Sequence, residues 1–124
     1  MLNIFVSIIN YNGEKDTLDC LKSLEDLIIK DFELIVVVID NGSDKVFKTE
    51  EALYKNFKLK IVRSEVNLGF SGGQNLGIKY SLENNADFVI ILNNDTLVHP
   101  DFINELLSSF DENIGIVTPK IYFA

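Results

Sequence analysis

A chain of 124 residues is the size of one ordinary domain with one core. With 47% apolar and 24% charged residues it has a globular composition, not a disordered or low-complexity one. The net charge of -8 excludes a nucleic-acid partner, because gripping a phosphate backbone takes clustered Lys and Arg. It also means that a bound phosphorylated small molecule must be neutralised locally, by a metal ion or by backbone N–H groups. The longest apolar runs, Leu34–Ile39 and Phe88–Leu92, fall far short of the roughly 20 residues that cross a bilayer. The first residues lack the charged and apolar regions of a secretory signal, and the lone cysteine, Cys20, has no partner for an internal disulfide. A reducing, cytoplasmic setting is expected.

In chain order, Ile4–Ile9 is a β-branched and aromatic run that reads as a strand, ending in the polar turn Asn10-Tyr11-Asn12-Gly13. From Asp16, a candidate cap, Leu18, Leu21, Leu24, Leu27 and Ile28 recur at helical spacing. Phe32–Ile39 is almost wholly apolar, as in a strand covered on both faces of a parallel sheet, and stops at Asp40-Asn41-Gly42-Ser43. Val46, Phe47, Leu53, Tyr54 and Phe57 predict a less regular helix over about 44–56, followed by a short strand at Leu59–Arg63 and a loop from Ser64 through Gly73. A helix from about Gly72 to Glu83 leads to a buried strand at Asp87–Leu92, which ends at Asn93-Asn94-Asp95-Thr96. Pro100 suits the first turn of a further helix with Phe102, Ile103, Leu106, Leu107 and Phe110 on its apolar face, and Ile114–Thr118 reads as a fifth strand. Strands alternating with helices predict an α/β fold: a Rossmann-like open, mostly parallel sheet with right-handed crossovers and helices on both faces.

In such a sheet ligands bind beyond the carboxyl ends of the strands. Those ends carry Asn10, Asn12, Asp40, Asn41, Asn67, Gly69, Asn93, Asn94 and Asp95, so this edge holds a large share of the chain's 13 asparagines. Asn and Asp are also good turn residues, which accounts for any one loop but less easily for four on one edge. Asp40, at the end of a central strand, can accept hydrogen bonds from a base or ribose, or else cap the next segment. Asn67–Gly77 is rich in glycine at a helix start but matches neither the dinucleotide fingerprint nor the P-loop. It suits close approach of a ligand, or of another backbone.

Asn93-Asn94-Asp95 offers oxygen ligands for a hard cation such as Mg2+ or Mn2+, though one carboxylate makes a thin site that a diphosphate would have to complete. Asn93 in the nucleophile position excludes aspartyl-phosphate chemistry. His99, the only histidine, reads as a helix-entry residue and gives no zinc site. The two Asn-x-Ser/Thr sequons, at Asn41 and Asn94, are expected by chance in an asparagine-rich chain.

Five blocks together, Val6–Asn12, Val38–Ser43, Asn67–Ile78, Leu92–Thr96 and Gly115–Lys120, resemble family 2 glycosyltransferases of the GT-A fold, nearest the rhamnosyltransferase-like branch. The resemblance covers essentially the whole chain. It implies a donor site for a TDP- or UDP-sugar, with Asn10, Tyr11, Asn12, Asp40 and Asn41 at the nucleoside. Gly69, Gly72, Gly73 and Asn75 would lie against the nucleotide and sugar, with Asn93 and Asn94 beside them. Asp95 would bind the divalent cation, as the second acid of an Asp-x-Asp signature whose first position is here Asn93. The implied reaction is inverting transfer to a saccharide or lipid-linked acceptor in cell-surface polysaccharide synthesis, in the cytoplasm or, for the full-length protein, at the cytoplasmic face of the membrane.

The family's general base lies further downstream than this chain reaches, and Asp101, Asp111 and Glu112 do not match it. The chain is therefore expected to be the donor-binding, N-terminal part of a larger catalytic domain, inactive by itself. Two other readings stand beside it: a nucleotide-sugar-binding module without transferase activity, and a structural α/β domain whose polar edge binds a partner protein. The apolar end Ile121-Tyr122-Phe123 and the exposed fifth strand predict packing against a second copy or another part of the sheet.

Overall fold

The structure, a computed structural model, describes residues 1–123; Ala124, the last residue of the expected domain, lies outside them. Four strands, β1 (Leu2–Asn10), β2 (Phe32–Asn41), β3 (Lys58–Ser64) and β4 (Phe88–Asn93), form one parallel sheet in the order β3-β2-β1-β4. The helices are α1 (Glu14–Glu25), α2 (Gly69–Glu83) and α3 (Phe102–Ser108). The chain builds outward from β1 through β2 to β3, then crosses back to the other side of β1. Neighbouring loops therefore diverge between β1 and β4, which opens a crevice at their carboxyl ends.

Strand alternation divides the core in two. Ile4, Val6 and Ile8 of β1 and Leu34, Val36 and Val38 of β2 share one cluster with Leu21 and Leu24 of α1 and Ile103 of α3. Phe5 of β1 and Val37 and Ile39 of β2 face the opposite way, against Leu76 and Tyr80 of α2. Helices thus cover both faces, as the apolar strands require.

Four local expectations are corrected. Residues 44–56 form no α-helix, only a 3-10 turn at Glu51–Leu53. Their apolar residues do not make one stripe: Val46 and Leu53 are exposed while Phe47 is buried. The segment is instead held by single pins, with the Glu25 carboxylate accepting from Lys55 N and Asn56 N and the Tyr54 and Phe57 rings stacked 5.0 Å apart. Helix α2 begins at Gly69, three residues before the expected start. Strand β4 is a partly exposed edge, with Ile91 on the surface, because the sheet order leaves one side of it unpaired. Ile114–Thr118 is not a strand: apolar sequence without a ladder partner does not hold an extended strand, and Ile116, Ile121, Tyr122 and Phe123 are exposed instead of packed on the sheet.

Candidate active site

The same alternation sorts the polar carboxyl edge into two sets. Register places Asn10 beside Asp40 and Asp40 beside Arg63 in one row across β1, β2 and β3, all on the α1 face. Asp40 is fully buried. Its Oδ1 accepts from Asn10 Nδ2 at 3.3 Å, and its Oδ2 accepts from Phe47 N at 2.9 Å and from the Arg63 guanidinium at 2.7 Å. Burial pushes the Asp40 pKa up, but the hydrogen bonds from Ser43, Phe47, Arg63 and Asn10 outweigh it, so the carboxyl sits below its ordinary value. Asn10 is equally occupied, accepting from Thr17 Oγ1 at 2.7 Å and donating to Ser43 Oγ at 3.2 Å.

The loops above this row are tied to one another. Asn12 donates its backbone N–H to Ser43 Oγ, and its side chain exchanges hydrogen bonds with Asp44. Asn94 Nδ2 donates to Thr17 Oγ1 at 3.1 Å and to Gly13 O at 3.5 Å, joining the β4 loop to the start of α1. Asn10, Asp40 and Asn94, and much of Asn12, thus hold the loops to each other. For Asp40 this is the local, capping-type role that its position at a strand end also allows.

On the α2 face, Asn41 clamps the helix start. Its Oδ1 accepts from Leu68 N at 3.0 Å, and its Nδ2 donates to Gly69 O at 3.0 Å and Asn67 Oδ1 at 3.2 Å. Gly69 adopts φ +73, a conformation open to glycine at little cost, with no atom near the place of a Cβ. Gly73 is buried, and a Cβ there would meet Ile9 Cδ1 at 2.9 Å and Asn41 Nδ2 at 3.0 Å; at Gly72 it would meet Leu68 Cβ at 2.8 Å. Gly73 lets α2 lie close on the sheet, Gly72 makes room for Leu68 at the helix start, and Gly69 supplies the backbone conformation of the turn.

Between α2 and the ends of β1 and β4 opens a cleft of about 270 Å³ bordered by Tyr11, Phe70, Gln74, Asn93, Asn94 and Asp95, with Ile9 and Leu92 beneath. It occupies the crevice that the strand order creates. Tyr11 and Phe70 are exposed aromatic rings, a form of surface on which a base or sugar packs. Asn93, alternate to Leu92, turns to the α2 side with Asp95. Asn75 is exposed on α2 and does not border the cleft. A second hollow of about 310 Å³ lies at the opposite, amino-terminal end of the strands, between Asn3, Glu33, Lys58 and Asn84. It is somewhat larger, but none of the residues expected at a site lines it.

Among the described residues no three His, Cys, Asp or Glu side chains converge. Asp95 is therefore the cleft's one carboxylate, and its oxygens with the Asn93 amide supply only part of the shell of a six-coordinate hard cation. This donor set fits Mg2+ or Mn2+ when a bound diphosphate supplies the missing oxygens. Its charge is felt beneath: burial first, and Asp95 second, push the Cys20 thiol up to about 12, leaving it an inert packing residue. His99 accepts from Asp101 N at 3.1 Å at the entry to α3, as its position suggested.

Sequence reading singled out neither Gln74 nor Phe70, although both lie in the stretch Gly69–Asn75 that the resemblance sets against the nucleotide and sugar. The signal for Gln74 was Ser7, a hydroxyl inside an otherwise apolar strand, which must find a buried partner.

An open α/β sheet with a polar cleft at its switch point defines a nucleotide-binding type of fold. The profile of the family described as glycosyl transferase family 2 matches residues 5–124, and the chain belongs to that family. It is 34% identical over 120 residues to the dTDP-rhamnosyl transferase RfbF of Shigella flexneri, covering 94% of this chain and 38% of that protein. It is 31% identical over 121 residues to the low-salt glycan biosynthesis hexosyltransferase Agl10 of Haloferax volcanii, covering 96% of this chain and 36% of that protein. The chain thus spans well under half the length of these relatives. In fold it is similar to S. aureus TarS 1-349 solved in complex with UDP, at TM-score 0.66 and 23% identity over 86% of this chain and 31% of that one. The likeness extends to the UDP-GlcNAc complex of the same protein, at TM-score 0.64, 22% identity and the same 86% of this chain, against 30% of that one. No helix among the described residues is long and apolar enough to cross a membrane.

Proposed function

We propose that this chain carries the nucleotide-sugar donor site of a family 2 glycosyltransferase, and that the cleft between β1, β4 and α2 is that site. The observation that carries the reading is the cleft itself: two aromatic rings and one free carboxylate meet at the switch point, while the surrounding asparagines hold its walls. Tyr11 and Phe70 pack against the nucleoside or sugar, and Asn93 and Asp95 face the diphosphate. A divalent cation held by Asp95 would neutralise the leaving diphosphate. Asn10, Asn12, Asp40 and Asn41 serve the donor by fixing the loops around it, Gly69 and Gly72 by shaping the start of α2, and Gly73 by letting α2 approach the sheet.

The reaction we infer is inverting transfer to a saccharide or lipid-linked acceptor in surface polysaccharide synthesis, on the cytoplasmic side. The name of one relative, a dTDP-rhamnosyl transferase, and the UDP-GlcNAc complex of a protein of similar fold support a sugar nucleotide as donor. With Asp95 the one carboxylate in the cleft and facing the diphosphate, the base for the acceptor hydroxyl is assigned to a group outside this cleft. The same observation favours a second reading, in which this chain binds the donor without transferring the sugar.

Calorimetry with UDP, TDP and GDP, each with and without Mn2+, tests the donor site. Heat with at least one nucleotide, strengthened by Mn2+ in the wild type but not in Asp95→Ala, is the expected result; no heat with any of them would sink it. We also assign the exposed end at Ile121, Tyr122 and Phe123 to contact with a second copy. Light scattering that finds only monomer at high concentration would remove that assignment.

A further inference from the structure

We propose that Gln74 is a hydrogen-bond donor to the sugar-diphosphate portion of the bound substrate, presented from the base of the cleft by Ser7; this rests on reading the cleft as the donor site. Gln74 is 3% exposed and borders the cleft. Its Oε1 accepts from Ser7 Oγ at 2.8 Å, and its Nε2 is the one buried side-chain nitrogen or oxygen among the described residues without a hydrogen-bond partner. A buried amide with idle N–H groups is costly, so such a group calls for a partner or a function.

The surroundings show how much structure is given over to orienting this amide. Ser7 is fully buried in the central strand, flanked in register by Val37 of β2 and Ile91 of β4, so no neighbour in its row answers its hydroxyl. On α2, one turn below Gln74, a Cβ at Gly77 would overlap the Ser7 hydroxyl, so glycine there reserves its space. An alanine at 7 and a leucine at 74 would pack the same layer with no polar atoms to satisfy. Ser7, Gln74 and Gly77 together hold the amide oxygen down on the sheet and leave the N–H groups without a protein partner beside the cleft.

An N–H donor pairs with an oxygen acceptor, and Asn93 and Asp95 border the same space. A nucleoside-diphosphate sugar offers that acceptor as a phosphoryl oxygen or as a sugar hydroxyl. Asp95 repels a phosphate, whereas a neutral donor such as Gln74 holds it without competing for the cation. Gln74 and Asp95 therefore act on the substrate by separable means.

Gln74 is the only glutamine in the sequence, so selective 15N-glutamine labelling reports one side-chain amide. Its resonances are expected to shift when UDP, TDP, UDP-glucose or TDP-rhamnose is added to the unaltered chain with Mn2+. In calorimetry, Gln74→Met and Gln74→Glu should each weaken binding by about tenfold or more, and Gln74→Met should unfold near the wild-type midpoint. Met removes the amide at similar length without adding charge, so it carries the test of donation; Glu keeps the oxygen that Ser7 engages but adds a buried charge that itself repels phosphate and lowers stability. Weakening of diphosphate and sugar nucleotide alike assigns the acceptor to phosphate, and weakening of the sugar nucleotides alone assigns it to a sugar hydroxyl. Wild-type binding with the Gln74 amide unmoved, or with Gln74→Met binding as tightly as wild type, overturns the role of Gln74 and leaves the donor site standing. Absence of binding by the unaltered chain overturns both. Should either variant fail to fold, the labelled wild-type amide decides.

Discussion

The two sides of the carboxyl edge are built from the same residue types and do opposite things. On the α1 side, Asn10, Asp40, Ser43, Thr17, Arg63 and Asn94 answer one another's hydrogen bonds, with Asp40 and Asn10 out of reach of solvent. On the α2 side, Tyr11, Phe70, Asn93 and Asp95 stand exposed around a cleft, and the buried polar residue that borders it, Gln74, keeps a donor unpaired. An asparagine-rich edge is thus not one broad binding surface. One half is a closed polar lattice that fixes the loops, and the other half is the place those loops make available.

Removing a carboxylate from each half should separate stability from binding. Asp40→Ala leaves Arg63, whose side chain is only 24% exposed, without its buried partner, and frees Phe47 N and Asn10 as well. A loss of about 3 kcal/mol in urea unfolding is expected. Asp95→Ala, at an exposed position with no hydrogen bond to lose, should leave stability within about 0.5 kcal/mol and abolish the Mn2+-dependent part of nucleotide binding. Equal destabilisation by the two would erase the distinction between lattice and cleft. The lattice also predicts a pH dependence. Asp40 holds a proton less tightly folded than unfolded, so its stabilisation is complete above its ordinary value of 3.8 and is lost as pH falls through the lower folded value. Below pH 3.8, the stability of the wild type should fall more steeply than that of Asp40→Asn, measured by urea midpoints across that range.

A smaller effect is expected where α2 meets the sheet. Gly77→Ala pushes a methyl into the Ser7 hydroxyl and should cost about 2 kcal/mol, the usual price of overpacking. Ser7→Ala in the same chain should recover part of it, because the hydroxyl is the first atom struck. A double-mutant cycle measures the coupling. Full additivity would mean that α2 shifts bodily to make room, and the close approach at Gly77 would then not be what seats Gln74.

The alternation of strands, the parallel sheet and the carboxyl edge were legible because buried parallel strands are written as unbroken apolar runs bounded by polar turns. The division of that edge was legible in principle too. Asn10 follows Ile4, Val6 and Ile8 at even spacing, whereas Asn93 is alternate to Leu92, so the period of two already sends them to opposite faces. What stayed hidden depended on partners distant in sequence. Phe47 is buried in the α1-side core with its N–H on Asp40, a placement that no helical spacing announces, and Ile114–Thr118 has the composition of a strand but no neighbour to pair with. Gln74 did not stand out within its glycine-rich stretch, and only its meeting with Ser7, 67 residues away, makes it unusual.

The smallest expected effect lies where lattice and cleft join. Gly69 supplies a carbonyl to the Asn41 clamp and begins the helix that carries Phe70 and Gln74. At φ +73 with open space around it, an alanine meets no atom, so its cost is backbone conformation alone, about 1 kcal/mol. Gly69→Asn should cost less, since asparagine tolerates this region better. If the clamp does no more than close the loop, nucleotide affinity in both variants should follow wild type while urea midpoints shift slightly. If instead the clamp sets the height of α2 over the cleft, Gly69→Ala should weaken binding by more than the about fivefold that 1 kcal/mol represents. The ratio of the two losses thus measures how firmly the closed half of the edge positions the open one.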